Sequence, residues 1–224
     1  MCLFRGIKWC CIRERVVRRE EIAPHGPVLL AVSHLSHLEP AFVMAQVGRP
    51  VHWMTRVEFF GPRWAAMVLN GCGAFPVDRA GFALPAIRKA IGLLGEGRVV
   101  GVFPEGGVVS GRDSVLRGGP IKEGICTIAI RTGVPIVPVM VLGTEDLNRV
   151  SPWLPARRGS VCVVFGNPVV PPASRRSNRR TRAELSGQLR GEFDRLFRLQ
   201  QFESGAGETW SWSAGERSLL QDRP

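Results

Sequence analysis

The chain has no Cys-x-x-Cys pair, no long hydrophobic run and comparatively little acid. Its six cysteines are Cys2, Cys10, Cys11, Cys72, Cys126 and Cys162. Their spacing forms neither a disulfide framework nor a zinc motif, and several lie in apolar runs where cysteine acts as a small buried hydrophobe. A chain of 224 residues does not need disulfides to fold. A reduced, cytoplasmic protein is expected, with Cys10-Cys11 the one place for a lipidated or reactive thiol. No apolar stretch is long enough to span a bilayer. Residues Met1 to Ile12 lack the long apolar centre and small-residue cleavage site of a secretory leader. Asp and Glu number 19 against 30 Lys and Arg, a formal net charge of +11. That imbalance points to an anionic partner: a membrane surface, nucleic acid or a phosphorylated substrate.

What is present can build a core, since 45% of the residues are hydrophobic. Phe4, Ile7 and Cys11 fall at helical spacing among Arg5, Lys8, Arg13 and Arg15, so residues 1–20 read as an amphipathic N-terminal segment. From about residue 28 to 142, apolar runs alternate with helical patterns. Val28–Val32, Val51–Met54, Val99–Phe103, Val134–Val141 and Val161–Phe165 read as strands. Helices are expected from about Pro40 to Val47, from Leu84 to Leu94 and from Ile125 to Ile130, the last capped by Gly133. Pro135 and Pro138 suggest that their strand lies at an edge or ends under strain. Continuous apolar strands are those buried on both faces. The expected fold is therefore α/β: a single domain with a largely parallel central sheet flanked by helices.

Residues 21–170 form the expected domain. Residues 171–202 follow as a basic linker and an amphipathic helix, opened by the capping box Thr181-Arg182-Ala183-Glu184. Leu185, Leu189, Phe193, Leu196 and Phe197 share one face of that helix. Residues 203–224, rich in glycine and serine, read as a disordered tail. Between Glu58 and Leu69 lie Phe59, Phe60, Trp64, Met67, Val68 and Leu69. Core packing is the expected role for these side chains, and lining an acyl pocket or touching a membrane are the alternatives.

Candidate chemistry centres on Ser33-His34-Leu35-Ser36-His37-Leu38-Glu39-Pro40. Positions five apart lie roughly 140° apart on a helix and on opposite faces of a strand. His34 and Glu39 therefore meet only across a turn. Pro40 favours one, because proline suits the first turn of a helix and disfavours helix in the residue before it. Arg79 and Glu105 also follow apolar strand runs, so they can join His34 at the carboxyl ends of the strands, where open α/β sheets form their sites. The set would supply a base, a carboxylate partner, a cation for an anionic substrate and a polar group for hydroxyls. Zinc held by His34, His37 and Glu39 is the rival arrangement. No further ligand cluster accompanies them, and no metal is expected. Gly106 to Asp113 has P-loop glycine spacing but carries Arg112-Asp113 where that loop needs Lys and Ser/Thr, so nucleotide binding is not supported.

Four blocks in order give the chain a family resemblance. They are Ser33-His34-Leu35-Ser36-His37-Leu38-Glu39, Gly73 to Arg79, Phe103-Pro104-Glu105-Gly106 and Val134-Pro135-Ile136-Val137-Pro138-Val139. Over about residues 20–170 the chain resembles the glycerolipid acyltransferases typified by 1-acylglycerol-3-phosphate O-acyltransferase. It departs from their pattern with Ser33 for asparagine, Glu39 for aspartate, and Gly107-Val108-Val109 where many members have Thr-Arg-Ser. The resemblance implies acyl transfer from acyl-CoA or acyl carrier protein, as co-substrate, to a lipid hydroxyl, with no cofactor. It implies His34 as general base and Glu39 as its partner, with Arg79, Glu105 and Gly106 at the acceptor; Lys122 is the further acceptor candidate, in compensation for the arginine absent after Gly106. The expected partners are a lipid acceptor, an acyl thioester and an anionic membrane surface, with the protein peripheral at the inner face. The arginine-rich stretch Arg175 to Arg182 leaves a non-catalytic basic binder as the rival class. It lacks the interleaved aromatics of nucleic-acid readers, and no nucleic acid is expected.

Overall fold

The computed structural model describes residues 12–17, 22, 25–78, 83–109, 111–144 and 159–205. Among the described residues, seven strands form one sheet. They are β1 (Ile12–Val17), β2 (Val28–Val32), β3 (Val51–Arg56), β4 (Phe75–Val77), β5 (Val99–Val102), β6 (Ile136–Leu142) and β7 (Gly159–Phe165). The spatial order is β1-β7-β6-β2-β5-β3-β4. Every neighbouring pair is parallel except β6 with β7, which is antiparallel. The helices are α1 (Glu39–Val47), α2 (Arg63–Gly71), α3 (Leu84–Gly95), α4 (Gly124–Thr132) and α5 (Arg179–Gly205).

The central strands β2 and β6 are buried at every position, as their unbroken apolar runs require. One core packs α3, α4 and α5 against the sheet through Ala90, Leu94, Ile125, Ala129, Leu189 and Phe193. The opposite face packs α1 through Phe42, Val43 and Val47, with Trp53 and Phe165 beside them. Gly101 on β5 leaves room for an indole there: a Cβ at that position would stand 2.6 Å from Trp53 Cε3. Gly48 and Gly133 close α1 and α4 in the left-handed conformation, at φ 69° and 73°.

Several sequence expectations need correction. Ile12–Val17 is a strand hydrogen-bonded to β7, so Arg13 and Arg15 are not on a helix and the sheet begins before residue 21. Charged residues are usual on an edge strand, and that charge imitates a helix surface. The residues before 12 lie outside the described part. Strand β6 is central, not an edge. Pro138 is tolerated because it sits just beyond the last β6–β7 register pair, Val139 with Phe165. Its carbonyl accepts from Gly166 N, so its missing donor faces the place where β7 ends.

Helix α5 starts earlier than expected. Asn178 is its cap: Asn178 Oδ1 accepts from Thr181 N at 2.9 Å, and Thr181 Oγ1 accepts from Asn178 N at 3.0 Å. Glu184 instead pairs with Arg180 one turn away. The five apolar residues predicted for one face of this helix are all buried. Two arginines of the basic stretch are anchored. Arg175 donates to the Thr132 carbonyl and Arg182 pairs with Glu123 at 2.7 Å, tying the linker and α5 to both ends of α4. The tail beyond residue 205 lies outside the described residues.

The segment before β4 differs most from expectation. No residue of α2 is buried. Phe60 and Leu69 lean against the second core, while Trp64, Met67 and Val68 face outward. Core packing is not the role of these three side chains.

Candidate active site

The site forms where β2 runs out. Ser33 N donates to Val139 O at 3.0 Å, and Ser33 Oγ accepts from Val141 N at 3.0 Å. Serine thus stitches the end of β2 to β6 before the chain turns. Ser36 Oγ then accepts from Leu38 N at 3.1 Å, closing the turn into α1. Glu39 is the first residue of α1 and Pro40 the second, one residue earlier than the expected start at Pro40.

This turn folds the pair together. His34 Nδ1 lies 3.2 Å from Glu39 Oε2. Glu39 has no solvent exposure, while the His34 side chain keeps 10% of its surface. The other carboxylate oxygen, Oε1, accepts from Ser36 N and from Thr144 Oγ1, both at 2.6 Å. A carboxylate with both oxygens engaged cannot swing away, and it sets the face that His34 presents to it. Thr144 was not a sequence candidate, and only its place just past β6, the strand of the fourth block, hinted at it.

Glu105 braces the same histidine from the other side. Its Oε2 accepts from His34 N at 2.7 Å. Its Oε1 accepts from Ser114 Oγ at 2.9 Å and Val115 N at 3.0 Å. The His34 carbonyl in turn accepts from Val109 N at 3.0 Å. Glu105 and Val109 therefore clamp the backbone of the His34 turn. The imidazole stacks on Phe103 with centroids 3.8 Å apart, and Trp53 stacks behind Phe103 at 5.1 Å. The roles of Trp53, Ser114 and Val115 were not legible in the sequence, because no local pattern marks them.

Burial pushes the Glu105 carboxyl up to about 7, helped by the Glu39 charge and opposed by its bonds from Val115, Ser114 and His34. A raised value means that the folded protein binds this proton more tightly than the unfolded chain does. Stability is therefore lost as pH climbs from about 4.5 toward about 7. The loss attributable to this group is on the order of 3 kcal/mol. Denaturant unfolding of wild type and Glu105→Gln from pH 4.5 to 8 should show the difference between them moving in the variant's favour as pH rises. Parallel pH curves would refute the assignment.

His37 meets His34 edge-on at 5.8 Å and Phe59 edge-on at 5.9 Å. Burial lowers its pKa; the His34 and Arg56 charges add to the fall, and Glu39 opposes it. Among the described residues no group of three or more His, Cys, Asp or Glu is placed to hold a metal ion. Gly106 takes φ 79°, which favours glycine, and a Cβ there would meet the Lys122 stem at 3.3 Å. Lys122 is exposed and anchored by its backbone N to Pro104 O at 2.8 Å. His34, Glu39, Glu105, Gly106 and Lys122 thus gather at one end of the sheet. Arg79 lies outside the described residues.

A buried carboxylate holding a partly exposed imidazole is general-base geometry; the pair sits in the first of the four sequence blocks, and Glu105 of the third braces its backbone. The family profile described as Acyltransferase matches residues 13–142, more than half of the chain. The chain belongs to the acyltransferase family. A 1-acyl-sn-glycerol-3-phosphate acyltransferase of Bacillus subtilis is 31% identical over 158 residues, which is 69% of this chain and 73% of that one. The enzyme of the same name from Borreliella burgdorferi is 27% identical over 133 residues, 58% of this chain and 52% of its own. The crystal structure of the 1-acyl-sn-glycerophosphate acyltransferase from Thermotoga maritima superposes with a TM-score of 0.63. At 22% identity, covering 92% of this acyltransferase and 77% of that chain, it establishes a shared fold. Among its described residues the acyltransferase has no helix long and apolar enough to cross a membrane.

Proposed function

We propose that this acyltransferase moves a fatty acyl group from acyl-CoA or acyl carrier protein to the hydroxyl of 1-acylglycerol-3-phosphate, a step of phospholipid biosynthesis. The observation that carries the proposal is the contact of His34 Nδ1 with the buried Glu39 carboxylate. A carboxylate accepts, so Nδ1 carries the proton and Nε2 keeps its lone pair. Nε2 then removes the proton from the acceptor hydroxyl, and the oxygen attacks the thioester carbonyl. The tetrahedral intermediate collapses, the C–S bond breaks, and the imidazolium returns its proton to the departing thiolate. Glu39 stabilises the imidazolium between the two transfers. No step needs an acyl-enzyme, and Ser36 Oγ is already engaged by Leu38 N.

Lys122 and Arg79 are the cations proposed for the acceptor phosphate, Arg79 for its planar fork. Gly106 lets the loop pass close beneath Lys122, and Glu105 holds that loop against His34. The net charge of +11 supports a phosphorylated acceptor and a peripheral station on the inner face of an anionic membrane. A different lipid acceptor is the second reading. It is favoured by Gly107-Val108-Val109, where many family members have Thr-Arg-Ser, and by the exposure of Val108.

An acceptor screen with one labelled acyl-CoA, read by lipid mass spectrometry, tests both, with acyl carrier protein as a second donor. Labelled phosphatidic acid is the expected product from lysophosphatidic acid. Product from another lysolipid alone would establish the second reading. Transfer to no lipid at all would overturn the proposal.

A further inference from the structure

Helix α2 has two faces of unequal fate. Ala65, Ala66 and Leu69 are half-buried toward the domain. Trp64, Met67 and Val68, at i, i+3 and i+4, are 71%, 72% and 54% exposed. Side chains at that spacing form one stripe on a helix. Apolar groups of this size are normally scattered singly over a surface. Further exposed apolar side chains stand at the end of the sheet that carries His34. Val57 follows the carboxyl end of β3, Leu84 opens α3 beyond β4, and Val108 lies in the loop after β5; all three are exposed. The turn before α2 is joined to the site through ring contacts, since His37 touches both His34 and Phe59, and Phe59 lies in that turn.

The charge around the stripe selects its occupant. Arg63 at the start of α2 is exposed beside it, and Arg56 at the end of β3 is exposed in an ion pair with Glu58 at 2.9 Å. An apolar face that starts at an exposed arginine, on a chain of net charge +11, fits a surface that is apolar within and anionic without.

We infer that α2 is a bilayer-docking helix, whose Trp64, Met67 and Val68 enter the boundary between headgroups and acyl chains of an anionic lipid surface. Such a helix lies in the membrane plane, about 5–10 Å into that boundary. Docked this way, the protein sets the His34 rim against the layer from which a lipid acceptor would be drawn. The inference rests on the proposed function only for that purpose, because docking is measurable without turnover.

The test uses the full chain and vesicles of phosphatidylcholine with or without phosphatidylglycerol, with bound protein read by flotation. The variant Trp64→Gln/Met67→Gln/Val68→Thr should keep its fold, since all three side chains are exposed. Its partition into the anionic vesicles should fall at least about tenfold. Wild-type partition should weaken as salt rises. Turnover of a water-soluble hexanoyl-glycerol-3-phosphate should stay within about twofold of wild type, as for other surface changes. Unchanged partition would overturn the inference. So would loss of a wild-type dimer in the variant with partition intact, which would make the face a contact between copies. A fall in thermal stability with partition intact would mean that another part of this chain covers the stripe, and would overturn it too. Loss of partition in a protein that transfers no acyl group would sustain the docking inference and refute the proposed function.

Discussion

Replacing His34 by alanine should reduce acyl transfer by about three orders of magnitude, the usual contribution of a positioned general base. Loss should appear in kcat, because the imidazole is needed when the hydroxyl proton moves and not when the thioester binds. Some stability will go as well. The Glu39 Oε2 atom, wholly buried, would lose its imidazole partner, at a cost of about 1–3 kcal/mol. Circular dichroism and denaturant unfolding separate the two effects. A folded His34→Ala protein with near-normal turnover would show that His34 is not the base.

The second large effect is expected from Glu39→Gln. Oε1 of the glutamine can still accept from Ser36 N and Thr144 Oγ1, so the amide nitrogen must take the place of Oε2 facing Nδ1. Two donors cannot share that contact. The imidazole would move its proton to Nε2, and the lone pair needed for the acceptor hydroxyl would face the wrong way. A misplaced tautomer costs roughly 10⁴-fold in kcat where an equivalent carboxylate supports a catalytic histidine. KM should change little, because the carboxylate is wholly buried. Glu39→Asp keeps the charge with a shorter reach and should retain far more activity than Glu39→Gln. Equal loss in both variants would mean that reach, not charge, governs the pair. Unimpaired turnover of Glu39→Gln by labelled acyl transfer would remove Glu39 from the mechanism.

These two residues were legible early because their relation is local. A buried strand, a turn and a proline-opened helix bring positions 34 and 39 together, and each step follows from short-range backbone preference. The resemblance then gave the pair a chemical role. Glu105 is a mixed case. Its block was plain in the sequence, but its grip on the His34 backbone spans 71 residues and was not. The contact of Thr144 with Glu39 spans 105 residues, and no periodicity encodes such a meeting.

Similar physics divides the fold. The apolar runs Val28–Val32 and Val161–Phe165 marked strands, and the stripe from Leu185 to Phe197 marked the buried face of α5, because burial leaves a period in the chain. Strand order leaves none. That β6 is central, that β7 runs against it, and that Ile12–Val17 closes the far edge are outcomes of long-range pairing. Trp64, Met67 and Val68 make the same point in reverse. Their apolar character belongs to the sequence, but whether they face a core or an interface depends on what packs beside α2. By itself, then, the sequence determined most of the central elements, the family resemblance and the His34–Glu39 pair, all written in local pattern. Tertiary structure alone decided which distant polar atoms satisfy those carboxylates and which apolar face stays open, since both depend on neighbours that chain order does not name.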